Sequence, residues 1–149
     1  MHPDAGPRWG VEFDWFAVDA VGQVAVFSSA EYGPVPSAVF PRTDDLYAWS
    51  ERSPRAALVV RGACSEQPDG SGDYSDWVSM AERGFYGYDW RVWDGPYVRL
   101  TVPSRPVRLS ELPSDVRDLA SLVPLDCAFA VMPAVDLSAL GVRVSPMLD

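Results

Sequence analysis

Two runs of strand-forming residues joined by a short glycine-bearing turn constrain this chain more than any other feature. Val11 to Asp19 (VEFDWFAVD) is rich in aromatic and β-branched residues, and Val24 to Ser28 (VAVFS) returns in the same style. Such residues suit a pleated, half-buried backbone. Ala20-Val21-Gly22-Gln23 supplies the turn, where Gly22 tolerates positive φ. The pattern predicts a hairpin of residues 11–19 with 23–29. Apolar residues on both of its faces predict cover by helices on one side and partial burial on the other.

A second hairpin is expected further on. Phe85 to Trp93 (FYGYDWRVW) alternates like a strand, Asp94-Gly95-Pro96 turns the chain, and Tyr97 to Pro103 (YVRLTVP) follows as its partner. Helices are predicted between and after these hairpins. Thr43 reads as an N-cap with Asp44 and Asp45 in the first turn, and Leu46 and Trp49 form the apolar side. Ser75 reads as the cap of a short helix in which Trp77, Met80 and Ala81 share a face, with Gly84 beyond its end. Ser114 reads as the cap of a third helix with Val116, Leu119, Ala120 and Val123 on one side and Pro124 as its stop. Residues 31–36 and 66–73 are expected as loops, Arg55 to Arg61 fits strand or helix, Cys127 to Met132 is expected as a last strand, and the tail from Pro133 as irregular. The expected architecture is α+β: an antiparallel sheet of two hairpins with short helices packed mainly on one face. Residues 1–10 read as a flexible arm, and 11–149 as a single domain.

Several kinds of chemistry are excluded by composition. The chain of 149 residues has no Lys, Asn or Ile, a pattern that fits a genome rich in G and C. Schiff-base and Walker-type lysines are therefore ruled out. Its single histidine, His2, lies in the N-terminal arm, so a Ser-His-Asp or Cys-His unit is not expected. Cys64 and Cys127 are far apart and flanked by alanine, which suits packing rather than metal ligation. Gly70-Ser71-Gly72 follows no strand and makes no dinucleotide fingerprint. No metal and no cofactor are expected. No apolar run has the length of a membrane span, and no secretory leader is visible, so a cytoplasmic protein is expected.

The formal net charge is −9, from 21 acidic residues against 12 arginines. A surface of this sign repels phosphate backbones and anionic membranes and suits a basic protein partner. Residues 73–97 stand out: Tyr74, Trp77, Phe85, Tyr86, Tyr88, Trp90, Trp93 and Tyr97 fall there, interleaved with Asp73, Asp76, Asp89 and Asp94. Tyr and Trp give large contact area at low entropic cost, and carboxylates pair with a partner's basic groups. Asp73, Asp76, Trp77, Asp89, Trp93 and Asp94, together with Tyr32 in the loop after the first hairpin, are the candidate partner-binding residues. The same aromatics serve equally well as core and cross-strand pairs. Carboxylate pairs suited to acid–base work are Asp44-Asp45, Asp73 with Asp76, and Glu12 with Asp14, the last two sharing one strand face.

The stretches Asp14 to Asp19, Val24 to Ser29, Tyr32-Gly33-Pro34-Val35-Pro36 and Arg83 to Trp90 resemble those of a group of small bacterial proteins. More loosely, a small, acidic, aromatic-rich chain without catalytic motifs resembles the immunity proteins of bacterial toxin systems. That resemblance implies a non-enzymatic inhibitor that occludes a basic toxin, and it carries over no catalytic residue. The other classes left open are a small enzyme working with carboxylates and tyrosines, and a ligand-binding module with an aromatic-lined pocket.

Overall fold

A computed structural model describes residues 12–51, 58–70 and 72–145. The expected N-terminal arm, His2 and part of the Arg55 to Arg61 segment lie outside the described residues. Both predicted hairpins form. β1 (Asp14–Val18) pairs antiparallel with β2 (Val24–Ser28), and β5 (Tyr86–Asp89) pairs antiparallel with β6 (Tyr97–Pro103). Gly22 takes a φ of 87° in the first turn, and the buried Asp19 carboxylate accepts the N–H groups of Val21 and Gln23 there.

The hairpins join through a parallel contact between β2 and β5, which places two inner strands side by side. The sheet order is β1-β2-β5-β6-β4, where β4 is Cys64–Glu66, and β7 (Ala134–Val135) adds to the other part of β6. A separate pair joins β3 (Val35–Pro36) to β8 (Val144–Ser145). The fold is α+β with a mostly antiparallel sheet, and among the described residues no helix is long and apolar enough to cross a membrane.

Register sorts the side chains into two faces. Trp15, Phe27 and Tyr88 pair across three adjacent strands, and their rings stack at 4.2 Å and 4.8 Å. Phe129, in a 3₁₀ turn at Phe129–Val131, and Tyr97 close on this ladder. The Tyr88 hydroxyl donates to the Met132 carbonyl at 2.6 Å, and Arg99 donates to the Phe129 carbonyl. The opposite face carries Phe16, Val26 and Gly87 in register. It lies under α1 (Thr43–Glu51) and α2 (Ser75–Glu82). Trp49 of α1 meets Phe16 edge to face at 4.6 Å. Trp77 of α2 lies so close over Gly87 that a Cβ there would collide with its ring and with the Thr101 hydroxyl. α3 (Ser114–Ala120) packs at β1, and the chain beyond it bridges Val18 through Pro124.

Five expectations are corrected. The strand predicted from Phe85 to Trp93 ends at Asp89. β2 leaves the sheet after Ser28, so Trp90 N–H makes the last bond to it and residues 91–93 have no partner strand there. Thr43 is not an N-cap. A 3₁₀ turn (Ser37–Arg42) runs straight into α1, and both the Thr43 amide and its hydroxyl donate to the Phe40 carbonyl. Ser75 and Ser114 are the first residues of α2 and α3 rather than their caps, and the Asp73 carboxylate takes the Ser75 N–H at 3.0 Å. Cys127 to Met132 is no strand, because Phe129 turns in to cover the aromatic ladder. The segments expected as irregular contain the short strands β3, β7 and β8, and β4 forms in a stretch for which no element was expected; all four gain their partners only through tertiary contacts.

Candidate functional site

The seven candidate residues separate into two regions. Tyr32, Trp93 and Asp94 come together at one end of the sheet, where the loop after β2 meets the loop between β5 and β6. Ala30 and Glu31 adopt left-handed φ values of 49° and 78°. Such conformations cost non-glycine residues of order 1–3 kcal/mol each and concentrate at functional loops. Their position is enforced by Ser29: its carbonyl accepts the N–H groups of Tyr32 and Gly33, and its hydroxyl accepts the Phe13 N–H. Tyr32 is thereby lifted to the surface.

The second loop is anchored by Trp90. Its indole meets Tyr97 edge to face at 5.0 Å and fills the space above Gly95. Beyond this anchor the chain turns outward, closed by a Gly95 N–H to Val92 carbonyl bond of 2.9 Å. Trp93 is 67% exposed, Val92 55% and Tyr32 39%. The Trp93 and Tyr32 rings lie 5.0 Å apart at 51°, so the two side chains form one amphipathic patch. The exposed acids Glu31 and Asp94 adjoin it in sequence. Arg91, one position before Val92, turns to Tyr74, donating to its hydroxyl at 2.9 Å.

Asp73, Asp76, Trp77 and Asp89 lie elsewhere, at α2 and the sheet beneath it. Asp73 is exposed just before α2, and the Ser75 N–H holds its carboxyl below the ordinary range. Trp77 is partly buried in the helix–sheet contact. Asp89 is partly buried, which pushes its carboxyl upward. Asp76 and Trp77 line a cavity of about 120 Å³ with Glu12, Asp14, Trp49 and Met80. Asp14 responds most: burial first, then the negative charge of Glu12, raises its carboxyl from 3.8 to about 6.

Apart from Tyr74, the remaining aromatics of the 73–97 stretch belong to the core or pack against it. Phe85, Tyr86, Tyr88 and Tyr97 are all buried, and burial drives the Tyr88 and Tyr97 phenols well above their ordinary range. The two alternatives for this stretch therefore divide by position: residues 85–90 and 97 build the interior, and 92–94 build the surface. Among the described residues no cluster of His, Cys, Asp and Glu has the arrangement of a metal site. Sequence reasoning picked Tyr32 and Trp93 separately but not their contact. It missed the convergence of Asp14 and Asp89, which depends on the parallel β2–β5 register. Comparison of the chain with protein-family models, curated proteins and solved structures finds no match.

Proposed function

We propose that this chain is a non-enzymatic binding protein of the immunity-inhibitor kind. Its Tyr32–Val92–Trp93 patch docks onto a cationic protein partner and occludes it. The observation that carries this reading is the exposed Trp93 indole resting on Tyr32. Aromatic anchors of this type dominate binding energy when a partner desolvates them. The flanking Glu31 and Asp94 and the net charge of −9 favour a basic partner and steer its approach.

A carboxylate enzyme is the competing class, and the cavity size weighs against it. The space beside Glu12, Asp14 and Asp76 is about 120 Å³, whereas small-molecule sites typically offer roughly 300–1,000 Å³. Of the larger hollows among the described residues, the one of about 310 Å³ carries Glu111 alone, the one of about 250 Å³ carries Asp94 with Asp136, and the one of about 500 Å³ carries no acid. The test is capture from the native host, using wild-type protein and Trp93→Ala as paired baits. The reading expects a basic protein retained by the wild type and lost from the variant, with association slowing as salt rises. Equal capture by both baits, or retention of nucleic acid at physiological salt, contradicts it.

A further inference from the structure

Two hollows lie in succession along the β3–β8 ribbon. Its register pairs Val35 with Ser145 and Pro36 with Val144, and the Ser37 N–H to Arg143 carbonyl bond of 3.0 Å extends it by one step. Alternate residues of an extended backbone share a face, so Pro34 and Pro36 stand with Val144 and Val142. The hollow of about 250 Å³ takes in Pro34 and Val144, and the one of about 500 Å³ takes in Pro36 and Val142. They are therefore consecutive parts of one groove. The turn at 136–142 runs beside both, with Leu137 in the first part and Leu140 in the second. Its shape is fixed: the Leu140, Gly141 and Val142 N–H groups donate to the Asp136, Ser138 and Leu137 carbonyls. The two ends of the groove differ in charge. Asp94 and Asp136 line the first part and no basic residue does, whereas Arg143 lines the second and no acid does. All three are exposed. The acidic end adjoins the aromatic patch, because Asp94 follows Trp93 and Pro34 lies two residues after Tyr32.

We propose that this groove is a track for an extended peptide segment of the protein partner. The segment lays a basic side chain at the Asp94–Asp136 end, apolar side chains along the ribbon and a carboxylate at Arg143. An extended chain returns to the same face about every 7 Å, which is also the step from Pro34 to Pro36 along the floor. Burial of apolar side chains on that floor supplies affinity. The opposite charges at the two ends set the direction in which the segment lies. A groove held by a hydrogen-bonded turn also keeps the ordering cost of binding low. The proposal rests on the reading of this chain as a protein binder, but patch and groove are separated by the variants that disable them.

Selection of a random heptapeptide library, displayed on phage, against the immobilised full chain tests it. Wild type should enrich peptides with arginine or lysine towards one end, alternate apolar residues in the middle and an acid towards the other. Arg143→Glu should exchange that acid for a base. Ala38 is exposed and lines the second part of the groove. Ala38→Gln therefore fills the track and should weaken the best wild-type peptide about tenfold or more. Trp93→Ala should select the same peptides as wild type. A failed patch thus leaves this result standing, and a failed groove leaves the Trp93 dependence of partner capture standing. The proposal is overturned by absence of enrichment, by the same peptides from Arg143→Glu as from wild type, by undiminished binding to Ala38→Gln, or by loss of selection in Trp93→Ala. Arg143→Glu decides alone if Ala38→Gln does not fold.

Discussion

The indole of Trp93 rests against the ring of Tyr32, centroids 5.0 Å apart, although the two residues come from different loops at the same end of the sheet. Each loop is held by its own device. Ser29 pins the left-handed Ala30–Glu31 turn from below, and Trp90 wedges the second loop against Tyr97 and Gly95. An exposed aromatic pair supported in this way is preorganised, which lowers the ordering cost of binding. Core and patch are therefore linked: the buried aromatics of β5 and β6 set the position of the exposed ones.

Phe27 is the centre of the buried ladder, fully inaccessible and stacked on Trp15 and Tyr88. Phe27→Ala removes a large side chain from between two rings that cannot close the gap. Urea denaturation should show a loss of about 3–5 kcal/mol. A loss below about 1 kcal/mol would mean that the ladder is not the core this structure describes.

Asp19 accepts three backbone amides from two segments of the chain. One carboxylate oxygen accepts the Val21 and Gln23 amides, and the other accepts the Phe129 amide at 2.9 Å. Asp19→Ala leaves the buried Phe129 amide and the part-buried Val21 and Gln23 amides without an acceptor, a buried donor costing of order 1–3 kcal/mol. The variant should lose about 3 kcal/mol in total, read from the same denaturation curves. It should also lose hydrogen-exchange protection first at Phe129. Retained protection there would contradict the assigned role.

Cys127 should be a slow nucleophile. Burial, reinforced by the negative charges of Asp19 and Asp126, pushes its thiol up to about 11. The thiolate is the reactive form, so at pH 8 it forms only a small fraction of the side chain. Alkylation by iodoacetamide at pH 8 should run at least about tenfold slower than for free cysteine, and rise steeply above pH 10. Reaction at the free-cysteine rate would refute this environment.

What was legible in the sequence follows the range of the contacts. Period-two alternation is local, so Asp14–Val18 with Val24–Ser28 and Tyr86–Asp89 with Tyr97–Pro103 could be read as hairpins. The helical face of Val116, Leu119 and Ala120 was readable for the same reason, and all three are buried. The parallel join of β2 to β5 left no local trace, since the chain between them carries two helices. With that join hidden, the row from Asp14 to Asp89 was hidden too. Strands as short as Val35–Pro36 carry no periodicity of their own and exist because a distant segment pairs with them. Trp93, named in the sequence as a candidate partner-binding residue, is exposed. Trp77, on the apolar face that the spacing predicts for its helix and also a candidate partner-binding residue, is partly buried over the flat floor that Gly87 offers.

The most direct test of the docking reading is the affinity of the purified partner for Trp93→Ala, with Asp94→Asn measured beside it across a salt series. Trp93 is 67% exposed, so its removal should leave the fold intact by circular dichroism and denaturation. The account predicts that Trp93→Ala weakens binding by about 2 kcal/mol or more, and that Asp94→Asn mainly slows association at low salt. Unchanged affinity in a folded Trp93→Ala protein would show that the partner binds elsewhere and would contradict the account.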